Sequence, residues 1–307
     1  MSGTTIRAYL VHLSFNMWAD REAAEWNLEH VAAKPYLRFD TSLWEDILQT
    51  MVAHGMNTLV IDLGDAVCYR SHPEIAVQGA WTVSRLRDEL AKVREMGLTP
   101  IPKLNFSACH DTWLGPYARC LSTPTYYEVC GDLIDEVIDL FDQPPLFHLG
   151  MDEETAGHQR YYEYVVIRQY DLWWHDLSFL LEKVEKGGVR PWIWSDYVWD
   201  HPDMFFQRMP KSVLQSNWYY AAEFSEKVNY VKAYLDLEEH GYDQVPTGSN
   251  WSCAENMKGT VAYCRHRIAP ERLKGFLQTV WKPTLEVCRE RHMQALRLAG
   301  EAFGGAT

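Results

Sequence analysis

Hydrophobic and polar positions along the chain alternate between two periods. Short apolar runs fit buried strands at residues 6–13, 57–62, 98–104, 146–150, 189–195, 212–218, 244–249 and 273–280. Between them, apolar residues recur at helical spacing. That spacing predicts helices over about 42–54, 83–96, 125–141, 158–186, 222–239 and 283–299. Ser42 and Glu45 stand in a capping-box pattern at the start of the first helix, and Gly55 and Gly97 supply stops. Pro100 and Pro102 in the third run suit a strand start or an edge strand.

Regular alternation of strands and helices demands a parallel sheet with right-handed crossovers. Eight such strands, with no linker, repeat or low-complexity stretch between them, are the number that closes a barrel. The expected fold is therefore a single (β/α)8 TIM barrel, one domain over residues 1–307. No glycine-rich phosphate loop supports the rival open sheet. In such a barrel the chemistry gathers at the C-terminal ends of the strands.

The fourth run ends in His148-Leu149-Gly150-Met151-Asp152-Glu153-Glu154. Adjacent carboxylates in a cleft raise each other's pKa, so that one can hold a proton near neutral pH beside an ionised partner. That combination is what acid-catalysed bond cleavage requires. A solvated acidic loop would show the same triplet. The other strand ends carry Asp62 and Asp65, His110, Trp194 with Asp196, Trp218 with Tyr219 and Tyr220, Asn250 with Trp251, and Trp281. Several tryptophans among polar groups at one barrel mouth describe a box for a sugar ring, with its apolar face stacked and its hydroxyls hydrogen-bonded.

Composition narrows the partners. The 29 Lys and Arg against 42 Asp and Glu leave a net charge of −13, which argues against a nucleic-acid binder. No apolar run approaches the ~18 residues that span a bilayer. The 13 tryptophans and 17 tyrosines exceed what a core alone needs. Seven cysteines, an odd number without a CxxC pair, suggest neither a disulfide framework nor structural zinc. With no signal peptide visible, the expected compartment is the cytoplasm. Nothing demands an oligomer.

The segment His148-Leu149-Gly150-Met151-Asp152-Glu153 resembles the His-x-Gly-Gly-Asp-Glu signature of the family 20 glycoside hydrolases, the β-N-acetylhexosaminidases, with Met151 in place of the second glycine. The stretch from Asp62-Leu-Gly-Asp65 to Arg70, and from Gly79-Ala-Trp-Thr to Pro102, is similar to the passage of that family from its second strand to its third. The resemblance implies a retaining exo-enzyme that releases a terminal β-linked N-acetylglucosamine or N-acetylgalactosamine, in which the sugar's own acetamido oxygen attacks the anomeric carbon. It implies Glu153 as general acid and base and Asp152 as the residue that orients and stabilises the acetamido group. It implies substrate contacts from Arg7, Asp65, His110, Trp194, Trp218, Tyr219, Asn250 and Trp281, and no metal or other cofactor. Asn105, Asn250 and Pro283 stand where the family carries acids, so recognition of the outer hydroxyls is changed.

Other chemistries fit the sequence less well. His148, Asp152 and Glu153 could ligate a metal, but no HExxH or HxH pair occurs. A retaining glycosidase with a protein nucleophile needs a second carboxyl ~5 Å from the first, for which Asp196 is the candidate. A barrel that binds carbohydrate without cleaving it is the remaining alternative. Cys109 beside His110 offers a nucleophile, but a buried cysteine is more often a small hydrophobe.

Overall fold

The inward-facing residues of the strands fall into layers that explain the architecture. In the computed structural model, which describes residues 5–22, 29–160 and 162–304, the parallel strands are β1 (Ile6–His12), β2 (Thr58–Asp62), β3 (Thr99–Lys103), β4 (Leu146–His148), β5 (Arg190–Trp194), β6 (Leu214–Ser216), β7 (Thr247–Ser249) and β8 (Gly275–Thr279). They are ordered β6-β5-β4-β3-β2-β1-β8-β7. Bridges Gln215↔Gln244 and Trp218↔Thr247 join the two ends and close the barrel. Ala8, Leu10, Val60, Ile101, Leu146, Trp192, Leu214, Val245 and Leu277 fill the inside. The alternate residues Tyr9, Val11, Leu59 and Ile61 face outward and pack under the helices.

The helices are α1 (Thr41–Ala53), α2 (Val83–Glu95), α3 (Pro124–Leu140), α4 (Tyr170–Lys186), α5 (Tyr197–Asp200), α6 (Pro202–Arg208), α7 (Asn229–Glu239), α8 (Asn256–Arg267) and α9 (Arg289–Gly304). None of the described helices is long and apolar enough to cross a membrane. The expected strands all form, within two or three residues of the expected bounds. The helices need correction. Asp40, not Ser42, caps α1 and accepts from the Ser42 N–H at 3.1 Å. The helix expected from 158 begins only at Tyr170, whose φ of +51° breaks any helical path from upstream. The helix expected from 222 starts at Asn229. The sequence reading also passed over α5, α6 and α8.

Pro100 and Pro102 sit in an interior strand. Thr99 donates its N–H to Asn57 on the β2 side, and Leu104 donates to His148 on the β4 side. Even-numbered residues of β3 therefore face β4, and the prolines remove N–H groups only there. The consequence is visible in the ladders. β3 pairs with β2 over five residues, but with β4 only at Lys103↔His148. β4 is correspondingly short, and the chain leaves it early into the acidic segment.

The top inward layer is polar. His12, Asp62, Lys103 and His148 are neighbours in register and fully or almost fully buried. Lys103 makes an ion pair with Asp62, whose carboxylate also faces His12 Nδ1 at 3.3 Å. Burial pushes the Asp62 carboxyl up, but the Lys103 charge and His12 outweigh it and hold the group below the ordinary carboxylate range. A polar layer at this depth marks the C-terminal mouth as the working end.

Candidate active site

Three left-handed backbone positions aim the acids. Gly150 has φ +72°, and a Cβ there would lie 2.0 Å from Asn105 Oδ1, so only glycine fits. Met151 follows at φ +76° and Glu153 at φ +57°, both costly for residues with side chains. The strain is held by specific contacts. Asn105 Oδ1 accepts from the Met151 N–H at 3.2 Å, Ser107 Oγ donates to the Asp152 carbonyl, and Asp196 Oδ2 accepts from the Glu153 N–H at 2.8 Å.

Asp152 is 5% exposed and tightly addressed. Asn105 Nδ2 donates to its Oδ1 at 2.9 Å, and His110 Nε2 lies 3.5 Å from its Oδ2. Asn105 accepts from two N–H groups with its carbonyl and donates with its amide. A carboxylate there would have no hydrogen to donate and would repel Asp152. Burial raises the Asp152 carboxyl, but the charges of His110 and Lys103 and the Asn105 hydrogen bond prevail, leaving it well below the usual carboxylate range. His110 shows the reciprocal effect. Burial lowers its pKa, yet Asp152 and Glu153 raise it to about 10. His110 is thus an imidazolium at neutral pH, with Nδ1 directed at the Met17 carbonyl 3.2 Å away.

Glu153 is the accessible member of the pair, with its side chain 22% exposed. One carboxylate oxygen is 3.4 Å from His110 Nε2 and the other 3.6 Å from His158 Nε2. It opens on a cavity of about 250 Å³. The β1 loop contributes Phe15 and Trp18 to its wall, and the β3 loop Cys109 and His110. Trp218 and Tyr220 follow β6, Trp251 follows β7, and Trp281 with Lys282 follows β8. A second cavity of about 380 Å³ lies on the other side of Glu153, His158 and Trp218, with Trp199, Tyr230 and Asp196 in its wall.

Of the residues expected at the site, the structure brings Asp152, Glu153, His110, Trp218 and Trp281 to the main cavity. Others lie behind it. Trp194 is a floor residue, with its ring 4.4 Å from that of His148 and 6.0 Å from that of Trp281. Asp65 accepts from Ser14 and Asn16 and so fixes the loop that carries Phe15 and Trp18. Burial pushes its carboxyl up to about 6 against those hydrogen bonds. Asn250 is tied to the Arg291 carbonyl and to Gln294 and holds the turn before Trp251. Two expectations are corrected. Arg7 lies near the N-terminal end of β1 and donates to the Gly55 carbonyl, so it is at the opposite end of the barrel. Tyr219 turns away and donates to the Glu223 carbonyl, and its neighbour Tyr220, stacked on Trp218 at 5.1 Å, faces the cavity.

Phe15 and Trp18 were not found from sequence, because they sit on a long loop without periodic signal, and His158 because it falls at the start of the helix expected from 158. Cys109 is no nucleophile: burial pushes its thiol up, and Sγ donates to the Thr155 carbonyl.

Asp196 faces the pair from the turn between β5 and α5. Burial, with the nearby Asp152 and Glu153 charges, pushes its carboxyl up to about 8. An acid whose folded pKa exceeds its unfolded value binds its proton more tightly in the folded chain, so stability falls as pH rises from the ordinary carboxylate range through about 8. Asp196→Asn keeps the acceptor for the Glu153 N–H but does not titrate. Its stability relative to wild type should rise across that window and level off above it. Parallel urea titrations at several pH values would show the trend, and a falling difference would contradict it.

The segment after the pair is anchored by Arg168, 3% exposed. Its guanidinium grips the Glu154 carboxylate through Nε at 2.6 Å and Nη2 at 2.7 Å, and reaches Asp176 on α4 at 3.2 Å. Removing one partner of a buried ion pair typically costs ~3–5 kcal/mol. Arg168→Met should lower unfolding free energy by about that amount, measured by urea denaturation. A loss under ~1 kcal/mol, the scale of an exposed pair, would contradict the anchoring role.

No protein-family profile and no curated protein sequence matches the chain. Solved structures do match it in fold. A GH20 exo-β-N-acetylglucosaminidase from Vibrio harveyi aligns with TM-score 0.64 and 15% identity over 95% of this chain and 54% of its own. The Flavobacterium johnsoniae chitobiase aligns with TM-score 0.63 and 17% identity over 85% and 46%. Dispersin B aligns with TM-score 0.59 and 13% identity over 86% and 95%. The chain thus spans about half the length of the first two neighbours. These likenesses bear on the fold alone, which the chain shares with those structures.

Proposed function

We propose that the chain is a glycoside hydrolase of the β-N-acetylhexosaminidase type, releasing a terminal β-linked N-acetylglucosamine or N-acetylgalactosamine with retention. The observation that carries this reading is the division of labour between adjacent acids. Asp152 is buried and held as an anion, while Glu153 opens on an aromatic-walled cavity. Solved structures of similar fold that are named exo-β-N-acetylglucosaminidase and β-N-acetylhexosaminidase support it.

The sugar lies in the main cavity with its apolar face on the Trp281 and Trp218 side. Glu153 gives its proton to the glycosidic oxygen. The acetamido carbonyl oxygen forms a bond to C1 as the bond from C1 to the leaving oxygen breaks, giving an oxazolinium ion. The Asp152 carboxylate accepts from the acetamido N–H and stabilises the positive charge that spreads onto it. Glu153, now ionised, takes a proton from water, which attacks C1 and opens the ring with overall retention. The departing group leaves through the second cavity beside Trp199 and Tyr230.

A protein nucleophile is less well supported. Among the described residues of the main cavity wall, the other carboxylate is Glu29 on the β1 loop. Asp196 spends Oδ2 on the Glu153 N–H, and its Oδ1 lies 3.4 Å from Trp218 Nε1.

A thiazoline analogue of the oxazolinium tests the reading. It should inhibit competitively and bind at least ~10²-fold tighter than the free sugar, as transition-state mimics do. Inhibition no stronger than that by the free sugar would overturn substrate assistance.

A further inference from the structure

We propose that His110, Asp152 and Glu153 also form a zinc site, so that a zinc-class divalent cation occupies the same cavity as the sugar. The competition with sugar rests on the glycosidase reading; the binding does not. His110 Nε2 stands 3.5 Å from Asp152 Oδ2 and 3.4 Å from Glu153 Oε2. Those separations are long for N–H···O hydrogen bonds of ~2.7–3.2 Å. They match the spacing of ligand atoms around zinc: bonds of ~2.0–2.2 Å at tetrahedral angles put neighbouring ligands about 3.4 Å apart. One ligand atom from each of the three residues lies within 4.8 Å of the others.

The burial and direction of the imidazole add to this. His110 is 2% exposed, and its Nε2 is directed at the two carboxylates at 3.4–3.5 Å, where neither contact has the geometry of a hydrogen bond. The outer contacts are those a metal site needs. Nδ1 sits 3.2 Å from the Met17 carbonyl, which fixes that nitrogen as the N–H and leaves Nε2 as the ligand. Asn105 Nδ2 occupies Asp152 Oδ1 and leaves Oδ2 for the cation. Glu153 Oε2, on a partly exposed side chain, supplies the third position. The ring enters neutral, giving its proton to solvent, and a water fills the remaining position.

Isothermal titration of the chain of residues 1–307 with zinc chloride tests the proposal, with His110→Gln and Glu153→Gln as variants. One zinc per chain is expected, and each variant should weaken it at least ~10-fold, since even outer-shell changes cost that much. The second variant alters a partly exposed residue and guards against failure of the first to fold. Affinity unchanged in a folded variant, or no zinc binding up to millimolar concentration, would overturn the site. A repeat titration with the thiazoline analogue present separates the two readings. Weakened zinc binding supports the shared cavity. Undiminished zinc binding that is nonetheless lost in the variants keeps the metal site but contradicts the placing of the sugar.

Discussion

Glu153→Gln should lower kcat on an aryl β-N-acetylglucosaminide by about 10²–10⁴-fold, the usual yield of a positioned general acid and base. The amide keeps the shape of the side chain and loses its proton chemistry. The substitution leaves the Asp196 contact intact, because that contact is made by the Glu153 backbone N–H. KM should therefore change little. The loss should shrink as the leaving group becomes more acidic, since a good leaving group needs less protonation. A uniform loss across leaving groups would mean that Glu153 does not protonate the glycosidic oxygen. Near-normal rates would remove it from catalysis altogether.

Asp152→Asn should cost about 10²-fold or more in kcat, on the scale of losing one preorganised electrostatic contact to a transition state. The charge is the point of this residue. Lys103, His110 and Asn105 together keep Asp152 ionised despite its burial. An amide in its place presents no negative charge to the developing oxazolinium, and it leaves the His110 imidazolium with Glu153 as its remaining close carboxyl neighbour. Substrates with a bulky or less nucleophilic N-acyl group should lose relatively less than the acetamide, because their transition state already relies less on this contact. Equal rates for the Asn variant and wild type would contradict the stabilising role.

Much of this was legible in the chain itself, for physical reasons that differ by residue. β2 could be read because it is buried on both faces and therefore nearly continuous in apolar residues. The acidic pair stood out because like charges side by side are costly without a use. Trp281, Trp218 and His110 followed from their places just beyond strand ends. Arg7 was misplaced by resemblance although its position argued otherwise: it lies at the second residue of β1, five before its C-terminal end. Tyr219 and Tyr220 differ by one position in an irregular loop, where no period decides which side chain turns inward. Phe15 and Trp18 lie between β1 and α1, in a segment whose shape depends on Asp65 and Arg38 meeting Asn16, contacts distant in sequence. His158 was hidden at the start of an expected helix that in the structure begins only at the left-handed Tyr170.

The measurement that bears most directly on the central claim is a comparison of three chromogenic β-glycosides: the N-acetylglucosaminide, the N-acetylgalactosaminide and the plain glucoside. The acetamido group is the nucleophile in this account, so at least one of the first two should be cleaved and the glucoside should not. The preferred acetamido sugar would also fix the C4 configuration. Cleavage of the glucoside at a comparable rate would contradict substrate assistance and move the nucleophile onto the protein, to Asp196.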